Sequence, residues 1–238
     1  MNLNIPYMET DNKLLNDAYR IAAGDIVGNI VYYQNGLLTE EKPCMIAGLD
    51  YNTPWTRDTA INIWNALSIL SPEVSKNTLL AVLEEEEGNI YIGGQYWDSI
   101  IWMIGAREYC RFHKDDNFYR LAFEAGRNSV HRLEEDEFDE EDGLFRGPAV
   151  YGDGIAAYPD KYSKCPNQGS GILEWVDYPG NPVYPKGYGI PMKALSTNCV
   201  YFKAYEILAE MAHALGESAK EFEEKAAAMK KAVNKNFW

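Results

Sequence analysis

The stretch Leu49-Asp50-Tyr51-Asn52-Thr53-Pro54-Trp55-Thr56-Arg57-Asp58 decides how the chain is read. It is a short aromatic loop that delivers an adjacent Arg and Asp onto the first turn of a helix. Pro54 stiffens the approach, Thr56 is the expected cap, and Thr59 to Leu70 is the helix that follows. Arg57 and Asp58 offer donors and acceptors side by side, while Tyr51 and Trp55 offer flat apolar faces. Together they suit a hydroxyl-studded ring with apolar faces, which is the chemical description of a sugar. A second reading needs no ligand: the helix dipole favours Asp58 near an N-terminus, and Arg57 pairs with it.

Composition narrows the chemistry. A chain of 238 residues with 46% apolar and 24% charged side chains is an ordinary globular composition, enough for one large domain or two small ones with ample core. A formal net charge of -14 opposes a nucleic-acid partner, whose phosphates it would repel. No run approaches the length of a membrane span, and the first residues carry neither a basic nor a long apolar segment. The expectation is no membrane association and a cytoplasmic protein, or an exported one whose signal has been removed. The cysteines Cys44, Cys110, Cys165 and Cys199 are widely spaced, and the histidines are only His113, His131 and His213. That inventory is poor for zinc, for a Ser-His or Cys-His nucleophile and for a disulfide framework. No metal and no cofactor are expected. Carboxylates remain as the chemistry, and 6 Trp and 17 Tyr as the recognition surface.

Helical periodicity recurs along the chain. Leu14, Leu15, Ala18, Ile21, Ala22 and Ile26 place a helix within 11–31, followed by a loop over 37–50 with an extended piece near Met45-Ile46. Ser71 as cap and Pro72 at the first helical position start the next helix, which is expected to run to about Leu83. The Glu84–Glu87 run then reads as its solvated end, stopped by Gly88, with 89–92 a short strand or link. A deeply buried helix is expected over 97–113, carrying Ile100, Ile101, Ile104, Tyr109 and Phe112. Another runs from Asp115-Asp116 through Leu133. The stretch 143–195 holds 7 of the 11 prolines, many aromatics and little periodicity, so it reads as a long functional loop or a surface ribbon. Ser196 is the expected cap of a helix ending at Gly216, and Ser218 opens the last, with Phe222, Ala226, Met229 and Val233 on one side. About seven sequential antiparallel helices, joined alternately by short turns and long decorated loops, place the long loops on one rim.

At this point the chain resembles the six-hairpin glycosidases, which fold as an (α/α)6 toroid: the glucoamylase-like, trehalase-like and processing-α-glucosidase-like families. Trp55-Thr56-Arg57-Asp58 is similar to the Trp-x-Arg-Asp motif whose Arg and Asp hold sugar hydroxyls beside the scissile bond. Ser196-Thr197-Asn198-Cys199, followed by Tyr205, Ala209, Ala212 and Gly216, is similar to the helix that follows the catalytic-acid loop. The resemblance implies an all-α fold, with this chain supplying slightly more than half of the toroid. The expectation is therefore residues 1–238 as the N-terminal part of a catalytic domain, with the C-terminal half or self-association covering the inner helix faces.

Glycoside hydrolysis needs a protonated carboxyl for the leaving group and a second carboxylate, roughly 6.5 to 9.5 Å away in an inverting enzyme. The resemblance places the acid on the loop Gly147 to Gly154 and makes Asp153 the candidate; Tyr151 and Tyr158 are suited to desolvate it. Gly-Asp-Gly is equally a turn motif. Glu174 beside Trp175 is the rival acid. Tyr96 and Trp97 read as stacking platforms or core aromatics, and Asp98 as a hydroxyl ligand or a cap. No downstream base stands out, since Glu206, Glu210, Glu217 and Glu221 fall on ordinary helix surfaces. The expected activity is an exo-acting inverting α-glycosidase on an oligosaccharide or glycoside, with the isolated chain inactive. A non-catalytic carbohydrate-binding module and a glycoside phosphorylase are the alternatives, the latter weakened by the lack of an Arg/Lys phosphate pocket. A helical repeat scaffold lacks a fixed sequence period.

Overall fold

A computed structural model describes residues 5–94, 97–149 and 192–238. Among them the protein is mainly α-helical, with seven helices and three short antiparallel hairpins. In chain order these are α1 (Lys13–Gly28), β1 (Ile30–Tyr33), β2 (Lys42–Met45), α2 (56–70), α3 (Pro72–Ala81), β3 (Leu83–Glu86), β4 (Asn89–Ile92), α4 (Asp98–Phe112), α5 (Asp116–Glu137), β5 (Phe138–Asp139), β6 (Leu144–Phe145), α6 (Leu195–Leu215) and α7 (Lys220–Phe237). The chain divides into two compact units. One runs to Gly94 and includes Ile101–Ala125; the other comprises Gln95–Ile100 and Gly126–Trp238.

In the first unit α1 starts at Asn12, whose side chain accepts from the Leu14 and Leu15 amides. Its apolar stripe forms the expected helix but is not buried: Leu14 is 78% and Ile21 64% exposed. The helix stops at Gly28, short of the expected 31, because Ile30–Tyr33 leaves to pair with Lys42–Met45. That pairing is the extended piece expected near Met45. The strand β2 packs on α3, where the Thr78 hydroxyl accepts the Met45 amide at 3.0 Å and Leu38, Cys44 and Ala81 form a small apolar cluster.

Two expectations about α3 and its surroundings are corrected. The helix ends at Ala81, and Leu83–Glu86 is a strand rather than a solvated helix end. Glu87 and Gly88 adopt φ of 51° and 79°, the left-handed pair that a two-residue hairpin turn demands. The Leu83↔Ile92 pair buries both side chains, while Glu84 to Glu86 face water, so one cross-strand pair outweighs the helix preference of a glutamate run. Ser71 precedes Pro72 at the helix start as expected, yet its side chain makes no cap bond; its carbonyl accepts from Ser75.

Helix α2 is α-helical over Thr56–Asn62 and Ser68–Leu70 and π-helical over Ile63–Leu67, an interruption invisible to periodicity. Its neighbour α4 is as apolar as expected, with Ile101, Trp102, Met103, Ala106 and Tyr109 buried, although Phe112 at its end is 49% exposed. The Trp102 indole donates to the Leu79 carbonyl (3.3 Å), and Phe118 packs edge-on against Tyr109 at 5.0 Å. Asp115 caps α5, accepting the Phe118 amide and binding Lys76 at 2.6 Å; that lysine bond holds the Asp115 carboxyl below its usual pKa.

The second unit is organised by α6 and α7. Phe222, Ala226, Met229 and Val233 are buried along α7, as the spacing predicts, and α7 packs on α6, which buries Ala204, Ile207, Leu208 and Met211. Gly216 in the left-handed conformation (φ 73°) ends α6. The start of α6 is corrected: Ala194, not Ser196, occupies the cap position, and α7 begins at Lys220 rather than at Ser218.

Candidate functional site

The loop before α2 lies in the first unit and is fixed from several sides. The Tyr51 amide bonds the Gly48 carbonyl (3.0 Å), and the Tyr33 and Thr53 hydroxyls pair at 2.9 Å. Trp55 is extended (φ -102°, ψ 139°) and is itself the cap residue; its carbonyl accepts the Thr59 amide at 2.8 Å. Thr56 is therefore not the cap. It is the first helical residue, and its buried hydroxyl donates to the Gly93 carbonyl at 2.8 Å, tying the start of α2 to the end of the β3-β4 hairpin. A threonine whose hydroxyl has a better tertiary acceptor gives up the capping role that its sequence position suggests.

Arg57 and Asp58 occupy the first turn of α2, both half-buried. The dipole favours Asp58 there and disfavours Arg57. The Arg57 guanidinium lies over the Trp55 ring, 5.5 Å from its centroid. Tyr51 meets Trp55 edge-on, at 6.1 Å and 78°, and is 51% exposed. Four of the expected substrate-binding residues, Tyr51, Trp55, Arg57 and Asp58, are thus gathered at one helix start. The Trp55 ring, expected to offer a flat face to a ligand, has the Arg57 guanidinium over one of its faces.

In the second unit Trp97 is 2% exposed, so neither face of its ring is open as a platform; it serves the core. Asp98 is 1% exposed in the first turn of α4, a position the helix dipole favours for a carboxylate. Tyr96, Tyr151, Asp153, Tyr158, Glu174 and Trp175 lie outside the described residues.

The stem of the candidate acid loop is described, and it explains the Thr197-Asn198 pair. Asn198, fully buried, accepts the Phe145 amide (2.8 Å) and donates to the Phe145 carbonyl (3.1 Å). The buried Thr197 hydroxyl donates to the Pro148 carbonyl at 2.5 Å, and the Gly147 amide to the Met192 carbonyl at 2.9 Å. Phe145 stacks on Tyr201 with centroids 3.5 Å apart. Lys193 bonds Asp139 and Asp142 at 2.7 and 2.6 Å, and Arg146 bonds Asp139 at 2.6 Å. The Lys193 bond holds the Asp139 carboxyl below its usual pKa. Burial opposes the charge of Lys193, but its two carboxylate partners outweigh that and raise its pKa. The described residues at 145–148 and 192–198 are therefore joined to one another by hydrogen bonds.

A cluster that sequence reading passed over lies on α5, α6 and α7. Ligand atoms of His131, Glu134 and Glu221 fall within 4.8 Å of one another, and His131-x-x-Glu134 is one helical turn, the one signal of it in the sequence. Lys225 binds Glu134 at 2.8 Å and Glu221 at 2.6 Å, and the buried Tyr205 hydroxyl donates to Glu134 at 2.6 Å. The lysine itself supplies the cation, so the cluster is an ion-pair network between helices. The Lys225 bond, before the His131 one, lowers the Glu221 pKa.

Comparison with protein-family models, with curated proteins and with solved structures finds no match to this chain.

Proposed function

We propose that the chain is part of a carbohydrate-active enzyme of the six-hairpin kind, a glycoside hydrolase in which Arg57 and Asp58 hold sugar hydroxyls and Asp153 is the general acid. The observation that carries the reading is the helix start at Trp55-Thr56-Arg57-Asp58. A guanidinium and a carboxylate in one first turn, beside the half-exposed ring of Tyr51, offer donors, acceptors and an apolar face to a single ligand. The toroid, the inverting outcome and the α-linkage belong to the resemblance and stand or fall with it.

In this mechanism Asp153 protonates the leaving oxygen while a second carboxylate activates water on the opposite face. Arg57 and Asp58 neither donate nor accept the transferred proton; they fix the ring so that the reacting atoms meet. The resemblance places the second carboxylate far downstream of the acid loop, and none of the described residues is assigned that role. An epoxyalkyl α-glucoside, which esterifies a carboxyl held near a bound sugar's leaving group, tests the assignment by peptide mapping. Esterification of Asp153 that free glucose suppresses supports it. Labelling confined to Glu174 rejects the assigned acid, and no sugar-protectable label rejects the hydrolase reading in favour of a binding module.

A further inference from the structure

Two local rules are broken at the same place. Arg57 puts a cation in the first turn of α2, at the positive end of the helix dipole. Trp55 carries an indole N–H that is buried without a hydrogen-bond partner, an unfavourable state for a donor that phenylalanine would avoid. Local departures of this kind concentrate at functional positions. What the indole supplies beyond a phenyl ring is the stronger cation-binding face, and that face lies under the Arg57 guanidinium at 5.5 Å. The orientation of the ring is set by the backbone, since Trp55 closes the first turn by accepting the Thr59 amide, and by the edge-on contact with Tyr51.

We propose that Trp55 is a positioning residue, its ring face fixing the Arg57 guanidinium in the geometry that receives the ligand. The ring is then a support and not a platform, and Tyr51, half exposed beside it, is the aromatic that meets the ligand. A guanidinium held in advance loses less freedom on binding, so the effect falls on affinity. The benefit to binding rests on the carbohydrate reading; the support of Arg57 by Trp55 does not, and the experiment separates them.

The first arm is the Nε–Hε correlation of Arg57 in a 1H–15N spectrum of the 238-residue chain, assigned by its disappearance in Arg57→Lys. Ring current places this proton upfield of the other arginines; Trp55→Leu returns it among them, and Trp55→Phe retains part of the shift. Should the leucine variant lose its spectral dispersion and not fold, the wild-type and phenylalanine spectra still decide. An Arg57 signal that lies among the others in the wild type, or that Trp55→Leu leaves in place, overturns the proposal whatever the sugar does. The second arm is calorimetric titration with 1-deoxynojirimycin, a glucose-configured probe. Trp55→Leu is expected to weaken binding about threefold to tenfold, with Trp55→Phe recovering part of it. Absence of wild-type binding sinks the carbohydrate reading and leaves the result of the first arm standing. Binding that Trp55→Leu leaves unchanged overturns the positioning role.

Discussion

The placement of α2, and with it Arg57 and Asp58, depends on a close crossing at Gly105 of α4. A methyl group added there would lie 2.8 Å from the Ala60 Cα, 2.9 Å from its carbonyl oxygen and 3.3 Å from its carbonyl carbon. All three are backbone atoms, so no side-chain rotation relieves the contact. Gly105→Ala gains roughly 1 kcal/mol of helix propensity. Overpacking against an immovable neighbour costs about 1–3 kcal/mol. The net expectation is a loss of about 1 kcal/mol, read as a fall in Tm of about 2–4 °C for a chain of this size. Gly24 of α1 is the control, since nothing lies within 4 Å of a methyl added there. Gly24→Ala therefore keeps the propensity term alone and is expected to raise Tm by about 2–4 °C. Because the clash is with the Ala60 backbone, trimming its side chain with Ala60→Gly does not rescue Gly105→Ala. Calorimetric melting of the four proteins decides the matter. A Gly105→Ala variant as stable as Gly24→Ala, or rescue by Ala60→Gly, would refute the backbone-contact argument.

Two further outcomes follow from ionisation. Asp139 has its pKa lowered first by Lys193, so its stabilising bonds are complete above the ordinary aspartate range and are lost as pH falls below about 4. Acid unfolding is expected below the ordinary aspartate range, and Lys193→Met should move its midpoint to higher pH; an unmoved circular-dichroism midpoint would show that the Lys193 clamp contributes nothing. Burial raises the Cys44 and Cys110 thiols to about 12, whereas Cys199 is exposed. Brief iodoacetamide treatment of the native chain near pH 8 should alkylate Cys199 and spare Cys44 and Cys110. Modification of Cys44 at the rate of Cys199 would contradict the burial of β2.

Much of the helical frame was legible because amphipathic spacing survives whatever packs on it. The four α7 residues from Phe222 to Val233 are the clearest case, since 3.6-residue periodicity and burial coincide there. In α1 the same periodicity gave the helix but not its exposure, because a pattern shows that a stripe exists and not what covers it. The Glu84–Glu86 strand was not legible: its partner at 89–92 was visible only as a short apolar run, and the pairing depends on a left-handed Glu87 that residue preferences do not announce. The cap at Thr56 failed for a tertiary reason. Thr56 spends its hydroxyl on the distant carbonyl of Gly93, and a tertiary acceptor cannot be read from local sequence. The gathering of Tyr51, Trp55, Arg57 and Asp58 was legible because a proline-stiffened loop and a helix start fix four neighbours within ten residues. The cation-over-ring geometry among them was not, since it depends on which of several rotamers Arg57 adopts.

The most direct measurement is a calorimetric titration of the 238-residue chain with 1-deoxynojirimycin, alongside Asp58→Asn and Arg57→Ala. Saturable binding to the wild-type chain, weakened at least about tenfold by either substitution, is the predicted result, each removing a charge-assisted hydrogen bond worth roughly 1.5–3 kcal/mol. Equal affinity in all three proteins, or no binding by a wild-type chain that melts cooperatively, would contradict a sugar site at the start of α2.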